Sequence, residues 1–159
     1  MHIRHPAVAL LATLALPAAA HAAAAGWTFG TGTNEAALVF GTPGTDRDAF
    51  RLDCSGGKMT ISTWAPSPPR NVTQGSFPTQ ISVFFGRREL IFAATGSVAD
   101  SGEGAGRLTR IDARLPEPAS FLTSLDGVSR LTTVIYAGRR MAVTPTPAQT
   151  SDFRKACGF

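Results

Sequence analysis

Period-two alternation constrains this chain more than any other feature. Phe50-Arg51-Leu52-Asp53-Cys54 places Phe50, Leu52 and Cys54 on one face of an extended backbone. Lys58 to Trp64 does the same with Met59 and Ile61. Arg107 to Leu115 does so with Thr109, Ile111, Ala113 and Leu115. Such runs predict half-buried strands. Further candidates are Trp27 to Thr31, Ala36 to Gly41, Gln80 to Phe85, Arg88 to Ala94, Leu131 to Tyr136 and Arg139 to Thr144. Turn residues separate them. Ser55-Gly56-Gly57 and Ala137-Gly138 read as hairpin turns, and Gly86-Arg87 suits a two-residue type II′ turn. Gly41 to Asp46, the Pro-rich Ala65 to Pro78 and the Gly-rich Asp100 to Gly106 read as loops.

Two segments carry helical spacing instead. Pro118 to Leu125 aligns Phe121, Leu122 and Leu125, with Gly127 as a stop. Pro147 to Cys157 has Thr146 as N-cap, Pro147 in the first turn and Gly158 after its end. Ala148 is apolar at its start, and Phe153, Ala156 and Cys157 form its expected buried stripe. Arg154 and Lys155 complement the helix dipole at its C-terminus. The pattern predicts a mainly β fold, an antiparallel β-sandwich or partly open barrel. It would have about eight or nine short strands and one or two short helices, one of them C-terminal.

Residues 1–22 read as an address rather than as structure. Arg4 precedes an apolar run from Ala7 to Leu16, broken only by Thr13, and Pro17 follows. Ala20-His21-Ala22 offers small residues at the positions a signal peptidase reads. This predicts an export signal at 1–22 and one disulfide-closed domain at 23–159, periplasmic or secreted. A membrane-spanning helix needs about 20 apolar residues, more than the run before Pro17 supplies. No Cys at the cut offers a lipid anchor, and no Arg pair precedes the run.

Cleavage there removes His2, His5 and His21, which leaves residues 23–159 without histidine. That excludes Ser-His-Asp and Cys-His nucleophile pairs, an imidazole base and His-built zinc sites in the mature chain. The expectation is a non-catalytic protein with no cofactor and no metal. The alternative is a carboxylate hydrolase: Asp100-Ser101-Gly102 matches the aspartic-protease tripeptide, and also an Asx-turn. Ser55 and Lys58 spell Ser-x-x-Lys, but in a hairpin turn that would point them differently, not at a helix start. Gly102, Gly104 and Gly106 lack the helix a phosphate loop requires. Asp100 and Glu103 are too few ligands for calcium.

Cys54 and Cys157 are an even pair without a Cys-x-x-Cys motif, which predicts a structural disulfide. Closing a loop of about 100 residues is worth about 4–5 kcal/mol in chain entropy. Beyond Arg4, every cation except Lys58 and Lys155 is arginine, the side chain suited to bidentate phosphate or carboxylate contact. Arg87-Arg88 and Arg139-Arg140 flank hairpin turns and are the candidate contacts to an anionic envelope component. Lipopolysaccharide, phospholipid head groups and peptidoglycan all qualify. The competing reading is a solvated surface that protects strand edges. Trp64, Arg70 and Phe77 mark either a recognition patch or the capped end of the core. Phe84-Phe85 sends one ring to each strand face, so one ring could meet another envelope protein. Export and the lack of an aromatic-basic module argue against nucleic acid. Asn71-Val72-Thr73 is a formal glycosylation sequon, relevant to eukaryotic export alone.

Taken together, the chain resembles small exported β-rich proteins of Gram-negative bacteria. The resemblance rests on the Ala-rich start, Trp27 after it, Ala36 to Gly41, Cys54 on an alternating strand, and Phe153 to Cys157. It implies location and a disulfide-closed β domain, and carries over no catalytic residue. Intact mass of the exported protein, with and without reductant, tests both features together. The expected mass is that of residues 23–159 with Cys54 and Cys157 oxidised, rising by one hydrogen pair on reduction.

Overall fold

The computed structural model describes residues 24–32, 35–42, 48–100, 107–126 and 128–159. The expected export signal lies outside the described residues. So do Gly127, Ser101 to Gly106 and most of the Gly41 to Asp46 connection. The strands are β1 (Gly26–Gly32), β2 (Glu35–Gly41), β3 (Phe50–Ser55), β4 (Lys58–Ala65), β5 (Ser76–Phe85) and β6 (Arg88–Asp100). They continue with β7 (Arg107–Leu115), β8 (Arg130–Ile135) and β9 (Gly138–Val143). Helix α1 spans Pro118–Leu125 and α2 spans Pro147–Cys157.

All nine strands belong to one antiparallel sheet, in the order β1-β2-β3-β4-β7-β6-β5-β8-β9. The sheet curls into a nearly closed barrel, so of the two expected architectures the barrel holds. The physical reason lies in the register. Leu38 pairs with Leu52, Leu52 with Ile61 and Ile61 with Ala113, an unbroken apolar row across four strands. A twisted sheet with one continuous apolar face buries it by coiling on itself.

The outer strands of the sheet meet at Trp27. Its indole N–H, on β1, donates to the Val143 carbonyl on β9. The ring also packs on Phe40 and Phe50, with centroids 5.3 and 6.0 Å away. The helices fill the end of the barrel reached by the C-termini of β3 and β5. On α1, Phe121 stacks edge-on against Phe85 and Phe92. On α2, Phe153 is fully buried and Cys157 is bonded to Cys54 across a Cα separation of 5.9 Å. Thr146 is the expected N-cap and forms a capping box with Gln149, and Gly158 adopts the left-handed conformation that ends the helix. Arg154 of α2 pairs with Asp126 after α1 at 3.0 Å, linking the two helices.

Several local expectations are corrected. β5 begins at Ser76, so Phe77 and Pro78 belong to a strand and the preceding loop is shorter than read. β6 runs on to Asp100, beyond Ala94. Long-range pairing causes both: Ser76 to Thr79 pair with Ala94 to Ser97, and Thr95 to Asp100 pair with Arg107 to Asp112 on β7, which outweighs the local turn signals. The β8–β9 turn is Tyr136-Ala137, because Gly138 already pairs with Ile135. Ser55 and Lys58 face each other as the closing pair of their hairpin rather than pointing differently, and both are exposed. On α2, Ala148 and Ala156 are exposed, and Thr150 joins Phe153 and Cys157 in the buried stripe.

The β5–β6 extension depends on a glycine. Phe77 lies opposite Gly96, and a Cβ there would stand 2.3 Å from the Phe77 ring. The ring covers the bare backbone, which an inner-face methyl would expel. Gly96→Ala should therefore cost about 1–3 kcal/mol by overpacking. In a Phe77→Ala background the same substitution should cost much less, a coupling readable in denaturant midpoints.

Candidate functional site

At the barrel end away from the helices, a cavity of about 220 Å³ opens at the rim. Asp48 and Ala49 line it from just before β3, Trp64, Ala65 and Pro66 from the end of β4, Leu108 from β7 and Arg140 from β9. The Thr63 hydroxyl donates to the Ala49 carbonyl at 3.0 Å and fixes that side of the wall. Nearby, the Tyr136 hydroxyl donates to the Ser67 carbonyl at 2.6 Å, and the Tyr136 ring meets Phe77 edge-on. This bond ties the β8–β9 turn to the loop after β4.

The electrostatics of the rim are uneven. Asp48 lies 3.7 Å from Arg51, whose Nε–H donates to Asp53 at 2.7 Å. Burial pushes the Asp48 carboxyl above its ordinary range, and the Arg51 guanidinium offsets part of this. Arg51 is itself held more firmly protonated, chiefly by Asp53. Arg140 is half-buried and, among the described residues, has no ion-pair or hydrogen-bond partner. Two buried hydroxyls adjoin this region. Among the described residues, Thr109 Oγ1 and Thr133 Oγ1 have no hydrogen-bond partner, and these threonines stand opposite Ala65 and Arg140 in the sheet.

The residues singled out from sequence are thus divided. Trp64 and Arg140 meet at the rim cavity. Arg139 does not join them, because successive strand residues point to opposite faces, and Arg139 is exposed on the outside. Arg87 is exposed in the β5–β6 turn, and Arg88 donates to the Ser124 hydroxyl of α1 at 3.2 Å. Arg70 is exposed in the loop after β4. Phe77 is half-buried on Gly96 and Tyr136, so it belongs to the core edge rather than to a patch with Arg70. Asp100 closes β6 opposite Arg107, and the rest of its tripeptide lies outside the described residues.

Two features escaped the sequence reading. Asp48 and Leu108 reach the rim only because β3 and β7 start beside the end of β4; Asp48 had one local signal, its placement three residues before Arg51. The other is the outer face of β6, β5, β8 and β9. Ile91, Met141 and Val143 are 60%, 58% and 54% exposed there. The signal was available at Ile91, an apolar residue at the outward position between Leu90 and Phe92. On the opposite flank, Ser62 is buried, its hydroxyl donating to Asp112 at 2.5 Å and accepting from Arg110 at 3.1 Å. That group is internally satisfied and holds β4 to β7.

No protein-family model matches the chain, and comparisons with curated proteins and with solved structures find no significant match.

The Asp48 environment has a pH signature. A carboxyl whose folded pKa is raised favours the folded state most below its ordinary pKa of 3.8. That contribution is lost as pH rises through the raised folded value. Asp48→Asn should therefore preserve stability at neutral pH and flatten this part of the acid-range profile, measurable by thermal unfolding across pH.

Proposed function

We propose that this chain is an exported, non-catalytic barrel that attaches to phosphate-bearing lipid surfaces of the cell envelope. The outer face of β6-β5-β8-β9 supports this reading most directly. Arg139, Val134, Ser82 and Ile91 form one cross-strand row there. Met141, Thr132, Phe84 and Glu89 form the next, and Val143 with Arg130 a third. Exposed aliphatic side chains thus stand beside Arg130, Arg139 and the turn residue Arg87, with Glu89 the single carboxylate among them. A convex apolar surface ringed by guanidinium groups fits a lipid interface, where the apolar tips enter the acyl boundary and the cations meet phosphates. The disulfide supports an oxidising compartment, and the absence of histidine beyond residue 21 supports binding over catalysis.

The test is flotation with vesicles of phosphatidylcholine alone or with phosphatidylglycerol added. The protein should float with the anionic vesicles and be released by salt. Each cation near such a surface contributes about 1 kcal/mol, so Arg130→Gln with Arg139→Gln should weaken binding by about tenfold or more. Met141→Ser with Val143→Ser should weaken it further. Flotation that ignores these substitutions, or no flotation, overturns the reading. Failure to float combined with co-purification of a stoichiometric envelope protein, lost in the Met141→Ser, Val143→Ser variant, would assign the face to an assembly instead.

A further inference from the structure

We infer that the rim cavity is a binding site for a small organic carboxylate, with Arg140 as the anion contact and Trp64 as the apolar wall. This site is separate from the outer face and does not depend on lipid attachment.

Two observations carry it. Arg140 is a half-buried cation that lacks an acceptor among the described residues. A guanidinium removed from bulk water without a partner is poised to take a charge-assisted hydrogen bond. Asp48, the one carboxylate among the described residues lining the cavity, lies 3.7 Å from Arg51, which also holds Asp53. Among the described residues that line the cavity, Arg140 is therefore the charged group without an ion-pair partner.

Size narrows the class. A cavity of about 150 Å³ is enough for benzene. The rim cavity, at about 220 Å³, has room for one ring or a short branched chain plus a carboxylate. Trp64 and Leu108 supply the apolar surface for that body. A larger amphiphile would have to leave most of its chain outside.

Trp64 also provides the readout. The full exported protein is labelled with 5-fluorotryptophan, and its two fluorine resonances are assigned with Trp64→Phe. Phenylacetate, 2-phenylethylamine, benzyl alcohol and inorganic phosphate are titrated separately. Phenylacetate should move the Trp64 resonance saturably and leave the Trp27 resonance in place. The amine and the alcohol should bind at least tenfold more weakly, and phosphate should give no saturable shift of the Trp64 signal. Arg140→Gln should weaken phenylacetate by about ten- to a hundredfold, the range for a hydrogen bond to a charged group. Arg139→Gln, on the opposite face, should not change it. Absence of a saturable Trp64 shift with phenylacetate overturns the inference. So does equal affinity for the amine or the alcohol, or an unchanged affinity in Arg140→Gln. If Arg140→Gln fails to fold, the acid-against-alcohol comparison in the native protein decides the matter alone.

Discussion

Closure of the sheet is the constraint from which the rest of this structure follows. A row of apolar side chains running through Leu38, Leu52, Ile61 and Ala113 is dry only if the sheet coils around it. Coiling brings β1 and β9 towards each other, and exposed edges invite pairing with other chains. Trp27 meets that problem: its indole bonds the β9 carbonyl of Val143 while its ring fills the interior against Phe40 and Phe50. The Gln149 side chain of α2 donates to the Trp27 carbonyl at 3.5 Å, so the C-terminal helix braces the same seam.

The two ends of the barrel then differ in kind. One end is filled by α1 and α2, whose buried Phe121 and Phe153 complete the core and whose Cys157 is bonded to β3. Chain entropy favours this arrangement, since the disulfide joins residues 103 apart in sequence. The other end lacks such a plug among the described residues, and there the side chains are mixed. Buried threonine hydroxyls, a desolvated carboxyl and a guanidinium without a partner among the described residues are arrangements that a purely structural core avoids. The charged and apolar groups that meet at this rim are the physical basis of the proposed ligand site.

Much of the fold was legible because β structure writes itself locally. Alternation at Phe50 to Cys54 and at Arg107 to Leu115 gave the inward faces correctly, and Thr146, Pro147 and Gly158 marked both ends of α2. The failures have a common origin. Pro78 and the Ser76 to Thr79 stretch carry turn-like residues, yet they pair with Ala94 to Ser97 because Gly96 admits the Phe77 ring. A long-range contact overrode local propensity there. The candidate site divided for a related reason. Adjacent Arg139 and Arg140 look like one basic cluster in sequence, but a strand sends them to opposite faces.

By itself, the sequence determined the fold class, the cysteine pair and the exclusion of histidine chemistry from residues 23–159. These follow from composition and from periodicities that act over a few residues. Only the tertiary structure decided that the strands form one curled sheet, that Trp64 and Arg140 share a cavity, and that Ile91 and Met141 share an outer face. Those outcomes depend on which strands become neighbours and in what register. That choice is made by burial summed over the whole sheet, a quantity that no local stretch of sequence contains.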